Sequence, residues 1–207
     1  MADDAGAKHK GPMYRGKTMD RIEAGWVDEV LDFWFGELTY EDWFGGGPEL
    51  DAKVRDRFLG LYEKLKAGFD ERRIADARMA LAAILVFDQF PRNMFRNSAA
   101  AFATDDTAAG IARIAVERGW DRAGPEGARP FFYMPFMHSE ILADQERCVD
   151  LFRALEEGDD AGLKYAVEHR DIIARFGRFP HRNRALGRES TQQELEFMKE
   201  HAGYGQA

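Results

Sequence analysis

The sequence predicts an all-α protein. From Trp26 onward, apolar residues recur at helical spacing, and no segment keeps the strict alternation that marks a half-buried strand. Sixteen Phe and four Trp among 207 residues supply enough apolar volume for a dense core. We therefore expect about eight helices, arranged as antiparallel hairpins because most of the intervening loops are short.

The first three helices are indicated by their apolar stripes and their ends. "WVDEVLDFWF" forms a short amphipathic helix that ends at Gly36. Pro48 suits the first turn of a second helix that runs to Gly68. Its apolar stripe consists of Val54, Phe58, Leu61 and Leu65. The nine consecutive apolar residues from Met79 to Phe87 predict a third helix that is buried on all sides.

The remaining helices are indicated by capping residues. Thr104 caps "DDTAAGIARIAVERG", which ends at Gly119, and Ser139 caps "EILADQERCVDLFRALEEG". "DAGLKYAVEHRDIIARFG" follows as a long amphipathic helix. The last helix, "TQQELEFMKEH", begins with a capping box formed by Thr191 and Glu194.

The chain divides into a tail and one domain. Residues 1–20 are polar and lack periodicity, so we expect a flexible N-terminal tail, and residues 21–207 are predicted to form a single all-helical domain. "GPMYRGKT" in the tail matches the phosphate-loop pattern G-x-x-x-x-G-K-[ST]. That pattern binds phosphate only between a buried strand and a helix, and the polar residues before it cannot form such a strand.

Composition excludes several classes of function. A formal net charge of −8 argues against a general nucleic-acid binder. Cys148 is the only cysteine, so no intrachain disulfide can form, and no apolar run is long enough to cross a membrane. We therefore expect a cytoplasmic protein. We expect no metal, because paired Cys spacing and the H-E-x-x-H motif are absent from the sequence. The sequence indicates no cofactor.

A repeated motif suggests where polar chemistry is concentrated. "DQFPRN" and "GRFPHRN" each follow an apolar helical run. Because proline cannot continue a helix, we expect the chain to leave a helix at Phe90 and at Phe179, with the following Arg bonding the freed carbonyls. Asp88 at the end of its helix requires a cation, and Arg92, four residues on, is the predicted partner.

Positive charge is concentrated in the later part of the chain. Residues 164–188 contain seven Lys or Arg against two acids. On a helical wheel His169 and Arg170 fall within the apolar face of the long helix, so Arg170 is expected to meet a carboxylate of the protein or of a ligand. "RPFFYMPFMHSE" is expected to be core, and it places His138 and Glu140 at a helix N-terminus, where anions can bind.

These stretches together resemble a known family. "VLDFWFGE", "DQFPRNMFR", "FFYMPFMHSE" and "YAVEHRDIIARFGRFPHRN" are similar to the uncharacterised bacterial family called domain of unknown function 924, over about residues 30–197. The resemblance implies an all-helical fold similar to a right-handed array of tetratricopeptide-type hairpins. It implies no biochemical role, and no 34-residue repeat is visible in the sequence.

Three functional interpretations remain open. In the first, a cationic pocket binds a small anionic ligand, and a hydrolytic or transfer reaction uses acid–base groups. The catalytic candidates are Asp88, His138 and His181. The candidate ligand-binding residues are Arg92, Asn93, Glu140, His169, Arg170, Arg182 and Asn183. In the second, a helical groove binds an acidic peptide, and in the third the polar residues are a structural network. The sequence is also compatible with a homodimer, and it does not decide whether the protein is an enzyme.

Overall fold

The structure is a computed structural model that describes residues 25–155 and 160–201. Every regular element of these residues is helical, which confirms the all-α prediction. In chain order the α-helices are α1 (Trp26–Leu31), α2 (Tyr40–Gly45), α3 (Pro48–Gly68), α4 (Ala77–Ile84), α5 (Phe90–Met94), α6 (Asp105–Glu117), α7 (Arg129–Met137), α8 (Leu142–Arg153), α9 (Asp160–Phe176) and α10 (Gln192–Glu200).

Tighter and wider helical turns join or extend these helices. π-helical turns follow α1 (Asp32–Glu37) and join α4 to α5 (Leu85–Gln89). Short 3₁₀ turns occur at Glu71–Arg73, Ala99–Phe102, Trp120–Arg122 and Pro180–Arg182. π-helical turns are frequent at functional sites, so the turn before α5 is a place to look for one.

Local signals explain where several helices begin. Pro48 is the first residue of α3, where its missing N–H costs nothing. The predicted capping box of Thr191 and Glu194 opens α10. A second capping box, formed by Thr39 and Asp42, opens α2, a helix that the sequence analysis did not predict.

The core is built around the helix that was predicted to be buried on all sides. The side chains from Ala80 to Phe87 are each at most 1% exposed. α4 packs against α1 and α6, α3 packs against α5, and α7, α8 and α9 pack in succession. Aromatic rings fill the centre, with the Phe58 ring 4.6 Å from that of Phe90 and 5.0 Å from that of Phe33.

One predicted boundary is wrong. The aromatic run "RPFFYMPFM" is buried in the core as expected, and it also forms helix α7. Helix α8 begins at Leu142 instead of directly after Ser139, whose hydroxyl donates to Asp144 instead (2.7 Å). His138 and Glu140 therefore do not lie at a helix N-terminus, since His138 caps the C-terminus of α7 and Glu140 lies in the linker.

Some predictions are not tested by the fold. The tail over residues 1–20 and the phosphate-loop match at Gly11–Thr18 lie outside the described residues. The right-handed tetratricopeptide-like array and the single domain over residues 21–207 stay predictions. Among the described helices, none has both the length and the apolar character needed to cross a membrane.

Candidate functional site

The candidate site begins at the π-helical turn between α4 and α5. The prediction that the chain leaves a helix at Phe90 is wrong, because Phe90 has helical backbone angles and Pro91 lies within α5. Proline has no N–H to give to the carbonyl four residues earlier. The Thr104 hydroxyl takes the place of the missing Pro91 N–H and donates a hydrogen bond to the Phe87 carbonyl oxygen at 2.6 Å. The helix can therefore continue through Pro91.

Asp88 lies in this turn and is completely buried. His138 Nδ1 lies 2.8 Å from Oδ1, Arg92 Nη1 lies 3.2 Å from the same oxygen, and Gln89 Nε2 donates to Oδ2 at 2.5 Å. The predicted pair of Asp88 and Arg92 is present. Burial alone would raise the pKa of Asp88, but Arg92 and His138 outweigh it and lower that pKa to about 2. The carboxylate is therefore ionised at neutral pH.

His138 is neutral at the same pH. Burial, reinforced by the nearby Arg92 charge, lowers the pKa of His138 below its usual value of 6.5 despite the attraction of Asp88. Because Nδ1 faces an ionised acceptor, Nδ1 carries the proton and donates it to Asp88. Nε2 then holds a free electron pair, and in the described part of the chain it has no hydrogen-bond partner.

A second carboxylate holds the cations in place. Asp105, the first residue of α6, accepts from Arg92 Nη1 at 2.9 Å and Nη2 at 3.1 Å, and from Arg182 Nη1 at 3.0 Å. Arg182 Nη2 also donates to the His138 carbonyl at 2.9 Å. Burial lowers the pKa of Arg182 to about 10 although the nearby Asp105 raises it, so this guanidinium stays charged at neutral pH.

His138 forms part of the wall of a cavity of about 610 Å³, which we call the site pocket. The polar side chains of its wall are Gln89, Arg92, Asn93, Arg96, His138 and His169. Most of the remaining wall is apolar: it consists of aromatic side chains of α2 and α9 (Tyr40, Trp43, Phe44 and Tyr165) and the thioethers of Met134 and Met137. The volume falls within the range of pockets that bind small molecules.

Four of the predicted site residues line the site pocket: Arg92, Asn93, His138 and His169. Asp88 lies behind His138, to which it is bonded. Burial, followed by the nearby His138, lowers the pKa of His169 to about 3, and its Nδ1 donates to the Tyr165 carbonyl at 2.8 Å. The structure thus brings together residues of α5, of α9 and of the C-terminal cap of α7.

The other predicted residues lie elsewhere. His181 is buried beside the Phe179 ring, 5.3 Å between centroids, and does not line the site pocket. Burial, then Arg182, lowers the pKa of His181 to about 3. His181 therefore does not join Arg92 and His138 at the wall of the site pocket, because the side chains of the 3₁₀ turn Pro180–Arg182 pack into the interior.

Glu140, Asn183 and Arg170 bind protein groups outside the site pocket. Glu140 accepts from both Nη atoms of Arg188, at 2.7 and 3.0 Å, and from the Phe179 N–H. Asn183 accepts from Arg188 Nε and donates to Ser190. The expected burial of Arg170 is wrong, since its side chain is 33% exposed and pairs with the adjacent Asp171.

Gln89, Arg96 and the aromatic side chains of α2 were not predicted from the sequence to be site residues. A Thr-x-x-Asp capping box in "LTYEDWFGGG" is the signal that could have revealed α2. Burial raises the pKa of the Cys148 thiol, which is typical of an unreactive structural cysteine. No group of three His, Cys, Asp or Glu side chains within the described residues could hold a metal ion.

Comparison with known proteins identifies relatives but no activity. No curated protein matches the chain. A solved structure of a protein of unknown function from Agrobacterium tumefaciens is 40% identical, covers 86% of this chain and 99% of its own, and superposes with a TM-score of 0.76. The family model described as "Bacterial protein of unknown function (DUF924)" matches residues 30–202. The chain therefore belongs to this bacterial family.

Proposed function

We propose that this protein binds a small organic anion in the site pocket and hydrolyses an acyl bond in it, with His138 as general base. The observation that carries the proposal is the buried hydrogen bond between Asp88 and His138, 2.8 Å long, beside a cavity that His138 lines. Among the described residues, no group bonds to Nε2 of His138. A carboxylate that orients a neutral imidazole is the arrangement that general bases require.

Charge supports an anionic ligand. Arg92 and Arg96 line the site pocket, whereas no Asp or Glu of the described residues does. The aspartates that pair with these arginines do not line the site pocket; Asp88 and Asp105 pair with Arg92, and Asp51 pairs with Arg96. This arrangement fixes both guanidinium groups, and of these described ion pairs only the arginine side chains line the cavity. A carboxylate or phosphate group fits such a wall.

Water supplies the nucleophile in this proposal. Among the described residues that line the site pocket there is no Ser, Thr, Cys or Lys. His138 Nε2 removes a proton from water while the water oxygen forms a bond to the acyl carbon. The bond from that carbon to the leaving oxygen or nitrogen then breaks, and the proton on Nε2 passes to the leaving group. Asp88 stabilises the imidazolium that exists between the two transfers.

The test is hydrolysis of the 4-nitrophenyl monoester of succinic acid, which carries a free carboxylate and releases a coloured phenolate. We expect the wild-type protein to hydrolyse it and His138→Gln to lower kcat by about 10²- to 10⁴-fold, the usual contribution of a general base. His201→Gln, at the C-terminal end of α10 and outside the site pocket, is the matched control and should keep wild-type kcat. Equal kcat for wild type and His138→Gln would exclude His138 as the base.

A further inference from the structure

Three exposed aromatic side chains surround one opening in the surface. Tyr40 and Phe44 of α2 are 65% and 54% exposed, and Tyr165 of α9 is 52% exposed. All three line the site pocket. Single exposed apolar residues need no explanation, but a cluster at the mouth of a cavity is typical of a binding site. These rings offer flat apolar surface to a ligand, and we call them the aromatic rim.

The wall beneath the aromatic rim presents hydrogen-bond acceptors. Gln89 and Asn93 stand one helical turn apart, and both line the site pocket. Carboxylates fix their amide nitrogens, since Gln89 Nε2 donates to Asp88 and Asn93 Nδ2 donates to Asp51 at 2.9 Å. Within the described chain, Gln89 Oε1 and Asn93 Oδ1 accept no hydrogen bond. A ligand that satisfies these oxygens must bring N–H or O–H donors.

The arginines specify a third property of the ligand. Arg92 and Arg96 stand on the same short segment as Asn93, so positive charge and acceptor oxygens are within one turn of each other. A ligand that meets both must carry its anionic group next to a donor. An amino acid that is acylated on its nitrogen has this arrangement, because its carboxylate and its amide N–H are attached to the same carbon.

We propose that the site pocket takes N-acylated amino acids with an apolar acyl or side-chain group. The carboxylate pairs with Arg92 and Arg96, the amide N–H donates to Gln89 or Asn93, and the apolar group packs against the aromatic rim. At roughly 30 Å³ for each water-sized unit, the cavity of about 610 Å³ holds on the order of 20 non-hydrogen atoms. This class of ligand rests on the proposed function, in which His138 would direct water to the amide carbon and release the free amino acid.

Calorimetric titration of the full chain with four probes tests the ligand class. N-benzoyl-phenylalanine carries all three features, its methyl ester lacks the carboxylate, its N-methyl derivative lacks the N–H, and N-acetylglycine lacks the apolar group. We expect the complete probe to bind and each of the other three to bind at least tenfold more weakly. Binding of the ester or the N-methyl derivative as tight as that of the complete probe would overturn the inference, as would no binding of the complete probe.

Exposed rim variants test the position of the ligand without disturbing the core. Phe44→Ala and Tyr165→Ala should each weaken binding of the complete probe by about fivefold or more. Leu195→Ala is the matched control, since Leu195 is also 50% exposed but lies on α10, away from the site pocket. Unchanged binding in both rim variants would contradict the inference.

Failure of the ligand class and failure of the proposed function give different results. If the complete probe binds but neither it nor the nitrophenyl ester is hydrolysed, the ligand class stands and the hydrolytic function is wrong. If the nitrophenyl ester is hydrolysed but the N-acylated probes do not bind, the ligand class is wrong and the function stands. His138→Gln should still bind the complete probe, because His138 is not among the groups assigned to hold it.

Discussion

Replacement of Asp88 by Asn removes one negative charge from the centre of the protein and keeps the shape of the side chain. Asp88 is fully buried and accepts from His138, Arg92 and Gln89. Asn has one acceptor oxygen where Asp has two, and its amide nitrogen can only donate. That nitrogen would therefore face a donor that bonds to a carboxylate oxygen in the wild type. The substitution therefore leaves at least one buried donor without an acceptor.

The expected loss is about 3 kcal/mol in the free energy of unfolding. Removing one partner of a buried ion pair costs roughly 3–5 kcal/mol when the other charge is left alone. Here Arg92 keeps Asp105, with contacts of 2.9 and 3.1 Å, so we expect the lower end of that range. With a urea m-value of about 2 kcal/mol per molar, the unfolding midpoint should fall by about 1.5 M.

Equilibrium urea unfolding at pH 7, followed by circular dichroism, measures this difference. The folded-state pKa of Asp88, about 2, lies below its ordinary value of 3.8. The stability that its charge contributes is thus complete above about pH 5 and is lost as the pH falls towards 2, so pH 7 shows the whole effect. Asp28→Asn serves as control, because Asp28 pairs with Arg78 on the surface and should change stability by less than about 1 kcal/mol.

An Asp88→Asn midpoint within experimental error of the wild type would refute the reasoning. It would mean that the Asp88 carboxylate is not ionised in the folded protein. The tautomer assigned to His138, and with it the general-base role, would then lose their basis.

Three further predictions concern pH and the π-helical turn. The folded-state pKa values of His169 and His181 are about 3, so both side chains stay neutral in the folded protein while the unfolded chain binds protons below about pH 6.5. Each histidine should therefore lower the free energy of unfolding by about 2–3 kcal/mol between pH 7 and pH 4.5. Urea midpoints that do not fall over this range would contradict the prediction. Thr104→Val should lower the free energy of unfolding by about 1–2 kcal/mol, since the Phe87 carbonyl loses its donor, and an unchanged urea midpoint would count against that role. The kcat of ester hydrolysis should rise with pH, with an apparent pKa below 6.5, and then stay level, because only neutral His138 acts as base. A kcat–pH profile with its midpoint above pH 7 would indicate that another group is the base.

Most helices could be predicted from the sequence because their signals are local. Pro48 at the start of α3, the capping box of Thr191 and Glu194, and the apolar run around Ile84 depend only on neighbours along the chain. The pair of Asp88 and Arg92 could be predicted for the same reason, since residues four apart on a helix are adjacent.

Contacts between residues far apart in the sequence changed the structure of the two Phe-Pro motifs from the one expected. Pro91 was expected to end a helix, but the hydroxyl of Thr104, 13 residues later, lets the helix continue. The two Phe-Pro motifs look alike in sequence, yet the first lies in the site and the second places His181 in the interior. A motif specifies backbone preferences, whereas the elements that pack against it decide which of its side chains meet a cavity.

The sequence by itself determined an all-helical chain and the residue types from which a polar site could be built. Only the tertiary structure decided that His138 meets Asp88, 50 residues away, and that α2 and α9 close the same cavity with aromatic rings. The physical reason is that helix periodicity and capping act within a few residues, whereas a buried charge finds its partner only through the packing of the whole chain.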